Sequence, residues 1–113
     1  MRTTVGDLSA FVGMWAAGGE WNGTRILGEK SVAAALPPPV EGIGHVWARY
    51  EMPFGSFVGH YGGDPGVATA ALFDPDENIA VVMLTNRSWR NSPAYDELLA
   101  ALVREAEATR GSR

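Results

Sequence analysis

The chain has 113 residues, 46% of them apolar and 19% charged, with a formal charge of −4 and no cysteine. That length holds one domain or a piece of one, so residues 1–113 are read as a single unit with no room for a second. The acidic balance lacks the basic footprint needed for nucleic acid or an anionic membrane, and the missing cysteines exclude a disulfide framework, thiolate catalysis and cysteine metal sites.

Leu8, Phe11, Val12, Trp15 and Ala16 recur at helical spacing, with Thr4 placed to cap and Asp7 in the first turn. The helix they predict ends at Gly18-Gly19. No apolar leader precedes it and no run approaches membrane-spanning length, so no membrane span is expected and the compartment stays open. A turn at Trp21-Asn22-Gly23-Thr24 leads to Arg25-Ile26-Leu27 and a short helical piece from about Glu29 to Leu36, which Pro37-Pro38-Pro39 must stop. Residues 4–36 thus read as a helical segment. Ile43 to Glu51 mixes β-branched and aromatic residues and reads as a strand. Val67–Phe73 and Ile79–Thr85 are nearly continuous apolar runs joined by a hairpin signal, Asp74-Pro75-Asp76-Glu77-Asn78. Strands apolar on both sides need a layer above and below, which helices at the two ends supply, so the fold class is α+β with antiparallel strands across 43–86. The last helix, 92–109, opens with Ser92 as cap and Pro93 at its first position. It presents Tyr95, Leu98, Leu99, Leu102, Val103 and Ala106 on one side.

Between these strands lies Gly59-His60-Tyr61-Gly62-Gly63-Asp64-Pro65-Gly66, a concentration of glycine holding one of the two histidines. The glycines interrupt what would otherwise be a plain hairpin and predict a site loop, since glycine lets a ligand or another backbone come close. Taken by itself, Gly62-Gly63-Asp64-Pro65-Gly66 reads as an ordinary turn. Among His45, His60 and Asp64, the two histidines belong to different elements and no ligand pattern is legible, so no metal or other cofactor is expected. Trp15, Trp21, Trp47 and Trp89 read as core or rim residues and not as a ligand box, with Trp47 and Trp89 the pair to follow. Arg49, Arg87 and Arg90 read as solvated surface.

The order of motifs carries a resemblance. A helix of the form T-x-x-D-L-x-x-F is followed by G-G-x-x-x-G-x-R-I-L, G-x-G-x-x-W, H-Y-G-G-D-P-G, F-D-P-D-E-N, V-V-M-L-T-N and an amphipathic helix. From about Thr3 to Val103 the chain resembles the C-terminal part of the serine β-lactamase-related family, which includes class C β-lactamases, D-alanyl-D-alanine peptidases and esterases. The resemblance implies a three-layer fold whose N-terminal portion is missing here, and a small-molecule ester or amide as substrate. The family's third motif, K-T-G or H-x-G, falls on His60-Tyr61-Gly62, on a strand bordering the active-site cleft. There His60 would shape the field around the catalytic base and the substrate carbonyl. The backbone N–H of Gly63 would be an oxyanion-hole donor, unobstructed because its neighbours are glycines. Tyr61, Gly62 and Asp64 would line the substrate. Tyr61 stands where penicillin-recognising members carry Ser or Thr, which favours esterase or amidase branches.

Two family motifs do not occur. S-x-x-K supplies the nucleophile, yet three residues before Lys30 stands Leu27; Y-x-N or Y-x-S supplies the base, yet Tyr50, Tyr61 and Tyr95 are followed two places on by Met52, Gly63 and Glu97. The chain alone is therefore expected not to hydrolyse anything. It reads as a fragment of a serine hydrolase, with a noncatalytic ligand-binding module, or a subunit complementing a chain that carries the missing motifs, as alternatives. In the family the strand at Ile79–Thr85 lies beside N-terminal strands, so its edge is expected to be bare here and open to self-association.

Overall fold

A computed structural model describes residues 2–37, 42–43, 45–88 and 92–111 of the chain. The first helix, α1 (Val5–Ala16), begins where the Thr4 hydroxyl oxygen accepts the Asp7 N–H at 3.1 Å. It stops at Gly18 and Gly19, both at positive φ. At Gly19 a side chain is also excluded, because a Cβ there would lie 2.5 Å from the Leu27 carbonyl oxygen. The Gly19 carbonyl accepts from the N–H groups of Ile26 and Leu27, so the chain folds back on the helix end. Within this return, β1 (Glu20–Trp21) and β2 (Thr24–Arg25) form a two-residue ladder inside what the sequence reads as a helical segment. Asn22 and Gly23 both adopt positive φ, the geometry that turns a strand back after two residues. Arg25 secures the return by donating to the carbonyls of Gly18 and Leu27 and to Glu20. A short helix, α2 (Glu29–Ala35), follows.

The main sheet contains β3 (Gly42–Ile43), β4 (Ala48–Met52), β5 (Gly55–Asp64), β6 (Val67–Asp74) and β7 (Ile79–Thr85) in that spatial order, every pair antiparallel. Two features differ from the sequence reading. The strand expected over 43–51 is divided, since residues 45–47 leave the ladder and carry Trp47 into the core. The stretch Gly59–Asp64 is strand rather than loop: β5 pairs with β6 without interruption from Val58↔Phe73 to Asp64↔Val67, and only Pro65-Gly66 form the turn. Ladder hydrogen bonds need no side chains, and here glycine serves close approach. A Cβ on Gly59 would lie 2.1 Å from the Ala71 carbonyl oxygen, and one on Gly62 would lie 2.4 Å from the Thr69 hydroxyl.

Alternation along the strands divides the core in two. One face presents Val58, Phe73, Ala71 and Val82 to α1, where Val12, Trp15 and Trp47 complete the cluster. The other presents Phe57, Leu72, Ala70 and Val81 to α3 (Pro93–Gly111), which inserts Tyr95, Leu99 and Val103. Each of those large side chains contributes roughly 1.5–3 kcal/mol through its burial. The start of α3 is fixed by Ser92, whose hydroxyl oxygen accepts the Tyr95 N–H. Its end is fixed by Arg110, which pairs with the Glu77 carboxylate and donates to the Glu77 carbonyl. A sheet covered on both faces by helices is the α+β architecture that the apolar runs imply.

Candidate active site

His60 lies on β5 on the same face as Val58 and beneath the α1 side of the sheet. β4 pairs with β5 only as far as Ala48↔Gly59, so among the described residues His60 to Asp64 of β5 pair with β6 alone. Where β4 stops, the departing chain brings Val46 and Trp47 against the histidine. The His60 Nε2 donates to the Val46 carbonyl at 2.5 Å, and the imidazole is tilted across the Trp47 ring with centroids 5.2 Å apart. A carbonyl can only accept, so Nε2 carries the proton and, in the neutral ring, Nδ1 keeps the lone pair. Trp47 is itself held edge-on by Trp15 at 5.5 Å and by Phe73 at 5.2 Å. The ring that supports His60 is therefore part of the core, while the imidazole stays exposed. The indole N–H groups of Trp15 and Trp47 are buried without a hydrogen-bond partner among the described residues.

Tyr61 points to the opposite face. Its ring packs edge-on against Tyr50 at 5.0 Å and near Tyr95 at 6.5 Å, and its hydroxyl donates to the Met52 sulfur at 3.3 Å. Gly62 shares the His60 face and lies under Thr69. The direction of the Gly63 backbone follows from the hairpin. Residues that flank a two-residue turn form a hydrogen-bonded pair, so Asp64↔Val67 is bonded and Gly63↔Ala68 is not. Gly63 therefore directs its N–H away from β6, off the stretch of edge that β4 leaves unpaired. Asp64 ends the strand at the exposed tip. There Ser88 bridges the hairpin, its hydroxyl donating to the Asp64 carbonyl at 3.1 Å and accepting the Gly66 N–H. Gly63, Asp64, Pro65, Val67, Ala68 and Ser88 surround an open hollow of about 480 Å³.

The structure thus brings Gly63, Asp64 and Ser88 together at the tip, sets His60 one step back against Trp47, and turns the Tyr61 ring to the other face. Among the described residues no serine hydroxyl is bonded to His60; Ser56 donates instead to Glu51 at 2.8 Å in a cross-strand pair. Such a strand can orient an imidazole and offer a backbone donor. It holds no activated nucleophile. Trp89 and Arg90 fall outside the described residues. Sequence reading missed the Val46 carbonyl and Ser88, because a backbone acceptor has no residue signature and Ser88 looks like any polar residue after a strand.

A helix-covered antiparallel sheet with a histidine and a glycine donor along one half-paired strand defines a class of α+β domain. The chain belongs to the serine β-lactamase-related family: the family model named Beta-lactamase matches residues 1–107. No curated protein and no solved structure matches the chain.

Proposed function

We propose that this chain contributes the third-motif strand of a serine hydrolase that cleaves ester or amide bonds through an acyl-enzyme, and that it is inactive without the segment bearing S-x-x-K and Y-x-N. The observation that carries this reading is the Gly63 N–H, directed off the half-paired stretch of β5 that also holds His60. In the reaction, a serine oxygen from the complementary segment adds to the substrate carbonyl and its proton passes to that segment's base. The carbonyl oxygen gains the negative charge and takes the Gly63 N–H as one of its donors. Collapse expels the alcohol or amine, and water then releases the acid from the acyl-serine. His60, held by Val46 and Trp47, sets the field beside the base. Gly62 and Asp64 line the substrate, and Tyr61 lends its backbone while its ring anchors the strand toward α3.

Mixing the chain with a polypeptide that carries S-x-x-K and Y-x-N, and following acylation by a serine-reactive phosphonate, tests this. Gly63→Pro removes the outward N–H, and also fixes φ there and restricts Gly62. In a chain that keeps the dichroism of the parent it should slow acylation about 10²–10³-fold, while Gly63→Ala keeps the donor and should stay close to wild type. Equal rates for the two variants would exclude Gly63 as an oxyanion donor.

A further inference from the structure

Where the β4–β5 hairpin meets the first half of α3, residues 51–54, Asp96, Glu97 and Ala100 surround an open hollow of about 390 Å³. It lies on the α3 face of the sheet, opposite the face that carries His60, and β5 and β6 stand between its strand, β4, and β7. Its walls are apolar and fixed from behind. Met52 and Phe54 pack against the α3-side core, the Met52 sulfur accepting the Tyr61 hydroxyl and the Phe54 ring leaning on buried Phe57 with centroids 6.1 Å apart. Pro53 sits in the turn between them, and on the helix side Ala100 leaves room because its side chain is only a methyl. Charge comes from the helix alone. Asp96 and Glu97 precede Ala100 by four and three residues, the spacing of neighbours on a helix surface, and both are exposed. Neither forms an ion pair or a side-chain hydrogen bond among the described residues, and no lysine, arginine or histidine lines the hollow. The residues three and four places from either on α3 are Pro, Ser, Ala and Leu, so no basic neighbour offsets the pair. The helix dipole accounts for an acid in the first turn, at Asp96, but not for a second at Glu97 or for the apolar ground beside them. Glu51 adds no charge here: its carboxylate accepts from Ser56 on the other face, and Arg49 reaches the same serine.

We propose that this hollow binds a small organic cation, an ammonium group carried on one aromatic ring or a short alkyl chain. The apolar body lies against Met52, Pro53, Phe54 and Ala100, and the ammonium meets Asp96 and Glu97 at the helix side. A space of this size, apolar over most of its wall and charged at one end, is that of a small-molecule site. Each part of the ligand follows from a part of the wall. A neutral apolar molecule would fill the hollow but leave both carboxylates unanswered, and an anion would be repelled by them. An ammonium near the Phe54 ring gains further from the negative face of the ring. Because Met52 and Phe54 are already held by Tyr61 and Phe57, little side-chain freedom is lost when the ligand arrives.

Methyl resonances of Met52 and Ala100 read this on the chain itself, independently of hydrolysis. Added 4-phenylbutylamine, protonated at neutral pH, should shift both signals to saturation with a dissociation constant of about 1 mM. 4-Phenylbutanol, which has the same body without the charge, should bind roughly threefold to tenfold more weakly, and 4-phenylbutyrate more weakly still. Asp96→Asn combined with Glu97→Gln should bring the amine down to the affinity of the alcohol and leave the alcohol unchanged. Ala100→Leu fills the hollow with a residue that suits a helix, and should abolish binding of both at unchanged far-ultraviolet dichroism. Should the leucine variant lose that dichroism, the carboxylate variant decides alone. An amine that binds no better than the alcohol, that keeps its affinity in the carboxylate variant, or whose shifts grow without saturating would overturn the proposal.

Discussion

The two faces of the sheet are built to different standards. On the α3 face each buried polar group named here is answered: the Tyr95 hydroxyl, 1% exposed as a residue, donates to the Thr69 carbonyl at 3.0 Å, and the Tyr61 hydroxyl reaches the Met52 sulfur. On the α1 face two indole N–H groups are buried without partners among the described residues, Phe11 is 49% exposed beside them, and His60 stands at the margin with one ring nitrogen engaged. Buried polar atoms are nearly always paired, and the exceptions gather where a structure is used. The comparison therefore separates a finished core from a face that carries the candidate site. It also explains why the histidine rests on aromatic rings and not on a network of polar groups, since the face offers few other polar partners.

Phe73 lies at the centre of the α1 cluster and is fully buried, so Phe73→Ala should cost about 3–5 kcal/mol and loosen Trp15 and Trp47 together. Chemical denaturation measures the first effect, and tryptophan fluorescence the second. If the fluorescence of the folded variant is unchanged, the aromatic cluster is not the unit described here. Next in size is Gly59→Ala, whose new methyl meets the backbone of β6 at Ala71; it should destabilise by about 1–3 kcal/mol although it adds a single carbon. A neutral or stabilising effect would mean that β5 does not approach β6 as closely as the ladder requires.

A smaller contrast sharpens the difference between the faces. Tyr95→Phe removes the buried tyrosine's hydrogen bond to the half-buried Thr69 carbonyl and should cost about 1–2 kcal/mol. Trp47→Phe removes an N–H that has no partner among the described residues, so its loss of volume is offset in part by relief of a buried unpaired donor. In matched melts Trp47→Phe should fall short of the cost expected for its lost volume, and Tyr95→Phe should exceed it. The reverse order would mean that the Trp47 N–H has a partner after all. The least effect is expected at Asp74, whose carboxyl is pushed above its ordinary value of 3.8, chiefly by desolvation and secondarily by Asp76, against the lowering effect of the Asp76 backbone N–H. A raised value means that the folded protein holds the proton more tightly than the unfolded chain does. The resulting stability is complete below the ordinary value and is lost as pH rises through the raised one. Asp74→Asn keeps an oxygen for the Asp76 and Glu77 N–H groups, so it should flatten that decline without opening the turn. An unchanged pH profile of thermal stability would refute it.

Much of this was legible in the residues because local rules and tertiary packing agree. Thr4 and Asp7 mark a helix start that packing then uses, and the apolar runs at 67–73 and 79–85 are apolar on both sides because both faces are covered. Glycine was the misleading signal. Gly59 and Gly62 look like loop residues, but their role is to admit Ala71 and Thr69 to β5, and close approach cannot be told from flexibility in a sequence alone. The split of the expected strand near residue 45 escaped for another reason: Trp47 leaves the ladder to join Trp15 and Phe73, residues distant in sequence. At the site, the family motif located His60 and Gly63 on one strand. It could not separate the Tyr61 ring from His60, because adjacent residues of a strand face opposite ways, and this becomes visible only once the strand is known.

The most direct test of the central claim is covalent labelling by a serine-reactive phosphonate, performed on the isolated chain and again with a polypeptide bearing S-x-x-K and Y-x-N present. The isolated chain should give no adduct, and the mixture should give an adduct on the S-x-x-K serine that forms only while this chain supplies His60 and Gly63. An adduct on the isolated chain would contradict the claim, as would labelling of the mixture that ignores both residues.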